Sequence, residues 1–387
     1  MDMDYQLPEE LRMLQETVCR FVDRELIPIE QDSMDGPKLK AEVQESLEEK
    51  AKAIGLWLFD VPEEYGGQGL GLLARSIVWT ELARTIALPT RNVNIFGPIV
   101  SPILYYLNEE QKKRYLFPVL EGKLRHCFAQ TEPEAGGDPG GMRTTAVRDG
   151  AYYVINGMKR FITGAADADF AQVIAATDRE KGSRGGISAF LVDMDSPGVK
   201  LLRAQETMMN DRPWEIAFED VRVPAENMIG GEGDGFKFAQ NWISAGRIRH
   251  GARGIGVIER CLELGASYAK QRETFGRKLA ERQSVQWMLV DSYADLHMLR
   301  LIVHTAAAKH DAGEDIRYDS YMCKYLGDTK SFEAADRCMQ IYGGMGLTTD
   351  LPIERMWRDQ RSFIITEGPT EIMKMALARH VVRQYGD

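Results

Sequence analysis

Hydrophobic positions recur at helical spacing through the first third of the chain. From Pro8 to about Ile27, Leu11, Leu14, Val18, Phe21, Val22 and Leu26 share one face, with Pro8 suited to a first turn and Pro28 ending the run. A second helix is predicted through Val43, Leu47, Ala51 and Ile54, stopping at Gly55. After a turn cluster at Pro62 to Gly69, helical patterns run from Leu72 to Ala87, Ile99 to Leu107 and Glu109 to Leu120. The texture then changes to short alternating or β-branched runs at Thr144 to Val147, Tyr152 to Ile155, Gln172 to Ala176, Ile187 to Val192, Val199 to Leu202 and Glu215 to Phe218. Asp149-Gly150 between the first two is a hairpin signal. From Gly235 the helical period returns, and Leu262 to Tyr268, Val285 to Lys309 and Tyr318 to Tyr342 predict a bundle of long helices. Near the end, Ile364-Ile365 leads to Glu367 and a Gly368-Pro369 turn; Thr370 to Gln384 then reads as a helix with Ile372, Met375, Ala376 and Val382 toward a core.

The expectation is a multidomain α+β protein. Its parts are an N-terminal helical domain (1–125), a central antiparallel β domain (126–232) and a C-terminal helical bundle (233–387). A net charge of -10 and the absence of basic blocks interleaved with aromatics argue against a nucleic-acid surface. Met1-Asp2-Met3-Asp4 lacks the basic and apolar regions of a signal peptide, and no apolar stretch is long enough to span a bilayer, so a cytoplasmic protein is expected. Five scattered cysteines without Cys-x-x-Cys spacing read as reduced thiols, and no histidine pair has metal-ligand spacing, so no metal is expected.

Four stretches and one carboxylate carry candidate chemistry. The loop Phe128 to Gly141 offers backbone N–H groups freed by its glycines and the Thr131 hydroxyl, able to meet a phosphate or a ring edge; a mobile acidic loop fits as well. In Gly157 to Ala165, strand alternation would set Phe161 and Thr163 on one face as an aromatic wall and a hydroxyl, though a bare amphipathic strand looks the same. Arg272, Arg277 and Lys278, in a turn between long helices, could pair with phosphates or simply end a helix. Gln340 to Gly346 closes a helix with more glycine than a C-cap needs, and no strand-borne Gly-x-Gly-x-x-Gly supports a nicotinamide fold. Glu367, flanked by apolar residues just ahead of a helix, suits a base poised for proton abstraction, and equally an acidic residue favouring a helix dipole.

In this order, the stretches resemble the acyl-CoA dehydrogenase family over essentially the whole chain. The matching pieces are Tyr65-Gly66-Gly67, Thr131-Glu132-Pro133 with Gly136 and Asp138, Lys159 with Phe161-Ile162-Thr163, Phe218 to Pro224, Arg272 with Phe275-Gly276, Gln340 with Gly343-Gly344, and Glu367-Gly368. The resemblance implies a β-barrel-like central domain, a four-helix C-terminal bundle, assembly as a homotetramer or homodimer, and noncovalent FAD. It implies that Phe128, Gln130, Thr131, Gly137, Phe161 and Thr163 lie at the flavin. Arg272, Phe275, Gln283, Gln340, Gly343 and Gly344 would hold the adenosine and pyrophosphate across a subunit interface, with Thr370 and Glu371 nearby. By the same resemblance Glu367 is the general base that turns an acyl-CoA into a trans-2-enoyl-CoA, Gly368 and Arg247 lie toward the substrate, and an electron-transfer flavoprotein takes the electrons. Related oxidases and monooxygenases on the same fold, and a non-catalytic acyl-CoA-binding scaffold, are the alternatives.

Some relatives carry the base near Asn241 to Arg247, where this chain has no carboxylate. Elsewhere it departs from the usual pattern: Phe161 replaces a Trp, Gly137 a Ser or Thr, Thr366 an aromatic and Pro369 a Thr. Those around Glu367 bear on the acyl pocket, and the acyl group itself is not legible.

Overall fold

A computed structural model of the protein describes residues 7–91 and 93–386, without the side chains of 239–244. Met1 to Asp4, and the side chains of Asn241 to Ser244, therefore lie outside the described residues. In chain order, α1 (Glu9–Phe21) runs on through a π turn and a 3-10 turn to Ile29, and β1 (Met34–Asp35) pairs with β2 (Lys38–Leu39). Then come α2 (Ala41–Ala53), α3 (Leu72–Leu82), and α4 (Glu109–Gln111) joined by a π turn to α5 (Phe117–Leu120). The β stretch holds β3 (His126–Ala129), β4 (Thr145–Asp149), β5 (Tyr152–Ile162), β6 (Phe170–Ala176), β7 (Ile187–Asp193), β8 (Val199–Ala204), β9 (Trp214–Pro224) and β10 (Met228–Ile229). The last stretch holds α6 (Gly235–Gln271), the hairpin β11 (Glu273–Thr274) and β12 (Arg277–Lys278), α7 (Gln283–Asp311), α8 (Arg317–Tyr342), α9 (Ile353–Phe363) and α10 (Thr370–Tyr385).

The order helical, β, helical is as the hydrophobic pattern predicts, and several details differ. Ile99 to Leu107 is not an α-helix: only Pro102–Tyr106 coils, as a 3-10 turn, where Pro102 lacks an N–H donor and the Ser101 hydroxyl caps Ile103. β3 and α9 were not foreseen. β3 is only four residues long and pairs parallel with β6, so the sheet is mixed rather than antiparallel. In α9, Ile353, Met356, Gln360 and Phe363 face inward, a stripe diluted by charge on every other face.

The chain forms two compact units. One comprises 56–67 and 91–243, the other 1–55, 68–90 and 244–387. The first is built on an eight-stranded sheet of order β10-β7-β6-β4-β5-β9-β8, with β3 beside β6, and the Asp149-Gly150 hairpin joins β4 to β5. β6 and β7 are buried along almost their whole length because both their faces are covered, and their polar residues Gln172 and Ser188 bond to the Ser101 and Thr177 hydroxyls. Val173, Phe190, Ile155 and Phe218 pack on one side; Phe170, Ile174 and Leu191 pack on the other against Leu104, Tyr115 and Leu116.

The second unit packs α6, α7 and α8 around Ile248, Ile255, Leu299, Val303 and Cys323, with α3 alongside. Glycines set the close crossing of α6 and α8. A Cβ on Gly254 would fall 2.6 Å from the Gly327 carbonyl oxygen, and one on Gly327 would fall 2.7 Å from Gly251 Cα. This contact brings the α6 residues beside Gly251 against α8 one residue past Gly327. On α10 the pattern misleads: Thr370 and Met373 are buried, whereas Met375 and Val382 are exposed. The outer face of α7 also exposes Trp287, Val290, Tyr293, Met298 and Leu301.

Gly327→Ala is expected to destabilise the protein by about 1–3 kcal/mol, because two helix backbones rather than flexible side chains must give way. Chemical denaturation checks this, and an unchanged midpoint would refute the backbone contact.

Candidate active site

Glu367 is delivered by a strained reversal of the chain. After α9, the N–H groups of Ile365 and Thr366 both donate to the Ser362 carbonyl, and Glu367 (φ +54°) and Gly368 (φ +96°) then take left-handed conformations in succession. The Thr370 N–H donates to the Ile364 carbonyl at 3.1 Å, closing the loop, and Pro369 opens α10. A non-glycine residue in this region costs on the order of 1–3 kcal/mol and persists only where its surroundings fix it. Among the described residues six non-glycines adopt positive φ, and three of them, Phe161, Phe275 and Glu367, are residues that the sequence marks out for chemistry.

The reversal lays the Glu367 carboxylate on one face of α6. Gly246, Arg249 and His250 share that face, being three and four residues apart. A Cβ on Gly246 would touch Oε2 at 3.4 Å, Arg249 Nη2 lies 3.5 Å from Oε1, and His250 Nε2 lies 3.1 Å from Oε2, within ion-pair reach though not aligned as a hydrogen bond. Behind it, His250 Nδ1 sits 2.9 Å from Asp328 Oδ1, and Lys324, one turn earlier on α8, meets Asp328 Oδ2 at 2.9 Å. Lys324 also donates to the Phe363 carbonyl at 2.7 Å, tying α8 to the end of α9. His250, Asp328 and Lys324 are all buried. Arg247 is buried too, its guanidinium 4.6 Å from the Tyr321 ring centre and its Nε without a partner. Burial holds the Arg247 pKa below its ordinary value, while Tyr321 and Glu367 pull it the other way. Of the expected residues, Gly368, buried Thr370 and exposed Glu371 follow Glu367 directly.

In the sheet unit two further sets come together. Lys159 on β5 donates to the Gln130 carbonyl at 3.0 Å and to Glu132 at 2.7 Å, and the Arg160 N–H donates to the Thr131 carbonyl at 2.8 Å. The loop at Gln130 to Glu132 is thus clamped beside Phe161. Strand alternation is not what presents Phe161: a one-residue bulge between Lys159 and Ile162 and a φ of +60° turn the ring outward, where it is 56% exposed, and Thr163 lies past the end of β5. Burial pushes the Lys159 pKa down to about 8. For Glu132 burial acts upward, but Lys159 and two backbone N–H groups outweigh it and hold the carboxyl below its ordinary range. Gln130 Oε1 is buried with no partner, Phe128 packs half-buried on the core, and Gly137 is exposed.

The remaining expected residues gather at the far end of α6. β11 and β12 form a two-residue hairpin whose tip, Phe275-Gly276, has both φ angles positive, and the Phe275 ring is 99% exposed. Tyr268 stacks on Tyr342 at 4.1 Å, and Ala269, Val285 and Ile341 join the ends of α6, α7 and α8, so Arg272, Gln283, Gln340, Gly343 and Gly344 share one end of the bundle. Gly343 has φ +60°, and a Cβ on Gly344 would meet nothing within 4 Å. This end does not meet Glu367: from Arg247 to the end of α6 is roughly 36 Å of helix at 1.5 Å per residue. Reading the sequence missed His250, Asp328, Lys324 and Arg249. The spacing of Gly246, Arg249 and His250 was legible, but what packs on that face was not. Among the described residues no group of three or more ligating side chains could hold a metal ion, and no helix is long and apolar enough to cross a membrane.

Three family profiles match the chain: acyl-CoA dehydrogenase N-terminal domain over residues 8–123, middle domain over 127–221 and C-terminal domain over 233–382. The mitochondrial short-chain specific acyl-CoA dehydrogenase of Mus musculus is 35% identical over 98% of this chain and 92% of its own. A subunit of the caffeyl-CoA reductase-Etf complex of Acetobacterium woodii is 33% identical over 97% of this chain and 99% of its own. A solved structure of PigA with FAD and proline superposes with a TM-score of 0.87 at 28% identity, covering 99% of this chain and all of that one. The chain belongs to the acyl-CoA dehydrogenase family, FAD-dependent oxidoreductases of three-domain fold.

Lys159→Met should cost about 3–5 kcal/mol, since it leaves Glu132 buried without its cation. A denaturation midpoint within error of the unmutated protein would show that the pair does not hold the Gln130 loop.

Proposed function

We propose that the protein dehydrogenates an acyl-CoA thioester to the trans-2-enoyl-CoA, with Glu367 as the general base. The observation that carries this reading is the Glu367 carboxylate, held by a left-handed backbone between an arginine and a buried histidine on α6 while 30% of its side chain stays accessible. The proton at the α-carbon of a thioester is a weak acid, so the base must be fixed and the thioester carbonyl polarised by donors already in place. The backbone N–H of Glu367 is one candidate donor, and Arg247 and Gly368 are candidates for contact with the substrate.

The residues fit FAD. Gln130 carries an orphaned buried oxygen, Phe161 presents an exposed ring, and Gly344 leaves bare backbone. When bound, FAD would supply the acceptor for the β-hydrogen, which leaves as hydride. Phe128, Gln130, Thr131, Gly137, Phe161 and Thr163 would hold the flavin, and Arg272, Phe275, Gln283, Gln340, Gly343 and Gly344 the adenosine and pyrophosphate, with Thr370 and Glu371 nearby. The roughly 36 Å of helix between the Arg272 end and Glu367 supports a homodimer or homotetramer in which one copy completes the cofactor site of another. The exposed apolar residues of α7 and α10 support the same assembly. Likeness to a subunit of an Etf complex supports an electron-transfer flavoprotein as the acceptor. The domain limits 1–125, 126–232 and 233–387, and a cytoplasmic location, belong to this reading.

Glu367→Gln should keep its yellow flavin yet lose the anaerobic bleaching rate with acyl-CoA by ~100- to 10,000-fold, the usual contribution of a positioned base. Near-normal bleaching would place the base elsewhere. Arg272→Ala should lower the FAD content of the purified protein, and stoichiometric FAD would remove Arg272 from the cofactor site.

A further inference from the structure

His250 sets one ring nitrogen against each of two carboxylates. Nδ1 lies 2.9 Å from Asp328 and Nε2 lies 3.1 Å from Glu367, and the imidazole is buried. The contact of Nε2 with Glu367 is a short ion-pair distance and not an aligned hydrogen bond. A neutral imidazole has a single N–H and would leave its other nitrogen lone pair within about 3 Å of a carboxylate oxygen, whereas the imidazolium carries an N–H on each nitrogen and a charge that both carboxylates attract. Lys324 pairs with Asp328, and Arg249 and the buried Arg247 already act on Glu367, so it is the two short ring contacts, and not a count of charges, that favour the imidazolium.

We propose that His250, oriented by Asp328 and Lys324, is a positioning residue for the base: as an imidazolium it holds Glu367 ionised and fixes its Oε2 in the resting enzyme. This rests on Glu367 being the base. In the step itself the α-C–H bond breaks, its electron pair stays with the substrate carbon, and the proton forms a new O–H bond on Glu367. His250 keeps its own proton throughout and is not the acceptor. Its positive charge makes Glu367 a weaker base but keeps it available at lower pH, whereas a pair lacking that charge would need a higher pH before the carboxylate ionises.

Among the described residues, the charged and titratable groups around this pair come from α8 and α6. From α8 come Asp328, Lys324 and Cys323, the last a thiol that burial pushes up and so keeps neutral. From α6 itself come Arg249, which reaches Glu367, Arg247, whose charge also feels it, and Arg253, 4.2 Å from the Phe363 ring centre. Phe363 packs edge-on to the His250 ring at 5.2 Å and adds no charge.

The test is the pH profile of kcat/KM for flavin bleaching in FAD-loaded His250→Gln and Asp328→Asn. Loss of the cation should move the acid limb of both profiles upward, by about one unit or more in His250→Gln, so that the rate at a fixed pH on the limb falls about tenfold. A residue that merely fills space would lower the plateau and leave the limb in place; superimposable limbs or a downward shift overturn the proposal. Since both sites are buried, nitrogen NMR of ¹⁵N-histidine protein reads the same point without substituting either. In the unmutated enzyme at neutral pH, one imidazole with both nitrogens protonated, altered in Glu367→Gln, supports the role, and a neutral His250 with bare Nε2 sinks it. Should Glu367→Gln bleach normally, the general-base reading falls as well. Should it be inactive while the His250→Gln limb stays put, only the role of His250 is lost.

Discussion

Glu367 reaches α6 because its backbone takes a left-handed conformation, and that conformation stands only because both flanks of the reversal are fixed. On one side Lys324 grips the Phe363 carbonyl and Phe363 itself is buried between His250 and Arg253. On the other, the Thr370 N–H closes onto Ile364 and Met373 anchors the first turn of α10. A strain of one or a few kcal/mol is small beside the packing of these helices, and it is placed where the carboxylate must point.

The same arrangement, a buried lysine paired with a carboxylate under a functional loop, occurs in both units. Lys159 with Glu132 holds Gln130 and Thr131 beside the Phe161 bulge, and Lys324 with Asp328 holds His250 beneath Glu367. Taking charges out of water is costly, and such pairs seldom stabilise a fold more than apolar residues of equal size would. Their effect is geometric. A misplaced loop would strand a charge in a low dielectric, so the loop has one acceptable position.

Glycine does the complementary work. Close approach of α6 to α8 at Gly251, Gly254 and Gly327 lets a histidine on one helix meet an aspartate on the other, and a bare position at Gly246 lets Glu367 lie on the helix surface. At the opposite end of α6 the hairpin carries Phe275 fully into solvent.

The sequence alone determined the order of helical and β segments, because periods of 3.6 and 2 are local properties of the chain, and it marked Glu367, Phe161 and Arg272 because their motifs are local too. It did not reveal β3, whose pairing with β6 is made some forty residues away, nor α9, whose buried stripe is interrupted by charge on its other faces. Met375 and Val382 show the limit of the pattern: helical spacing says which residues share a face, not whether that face meets anything. Only the tertiary structure decided that His250 stands between Asp328 and Glu367. Those three residues are far apart in the chain, and what joins them is a helix crossing and a backbone reversal, which no spacing within one segment records.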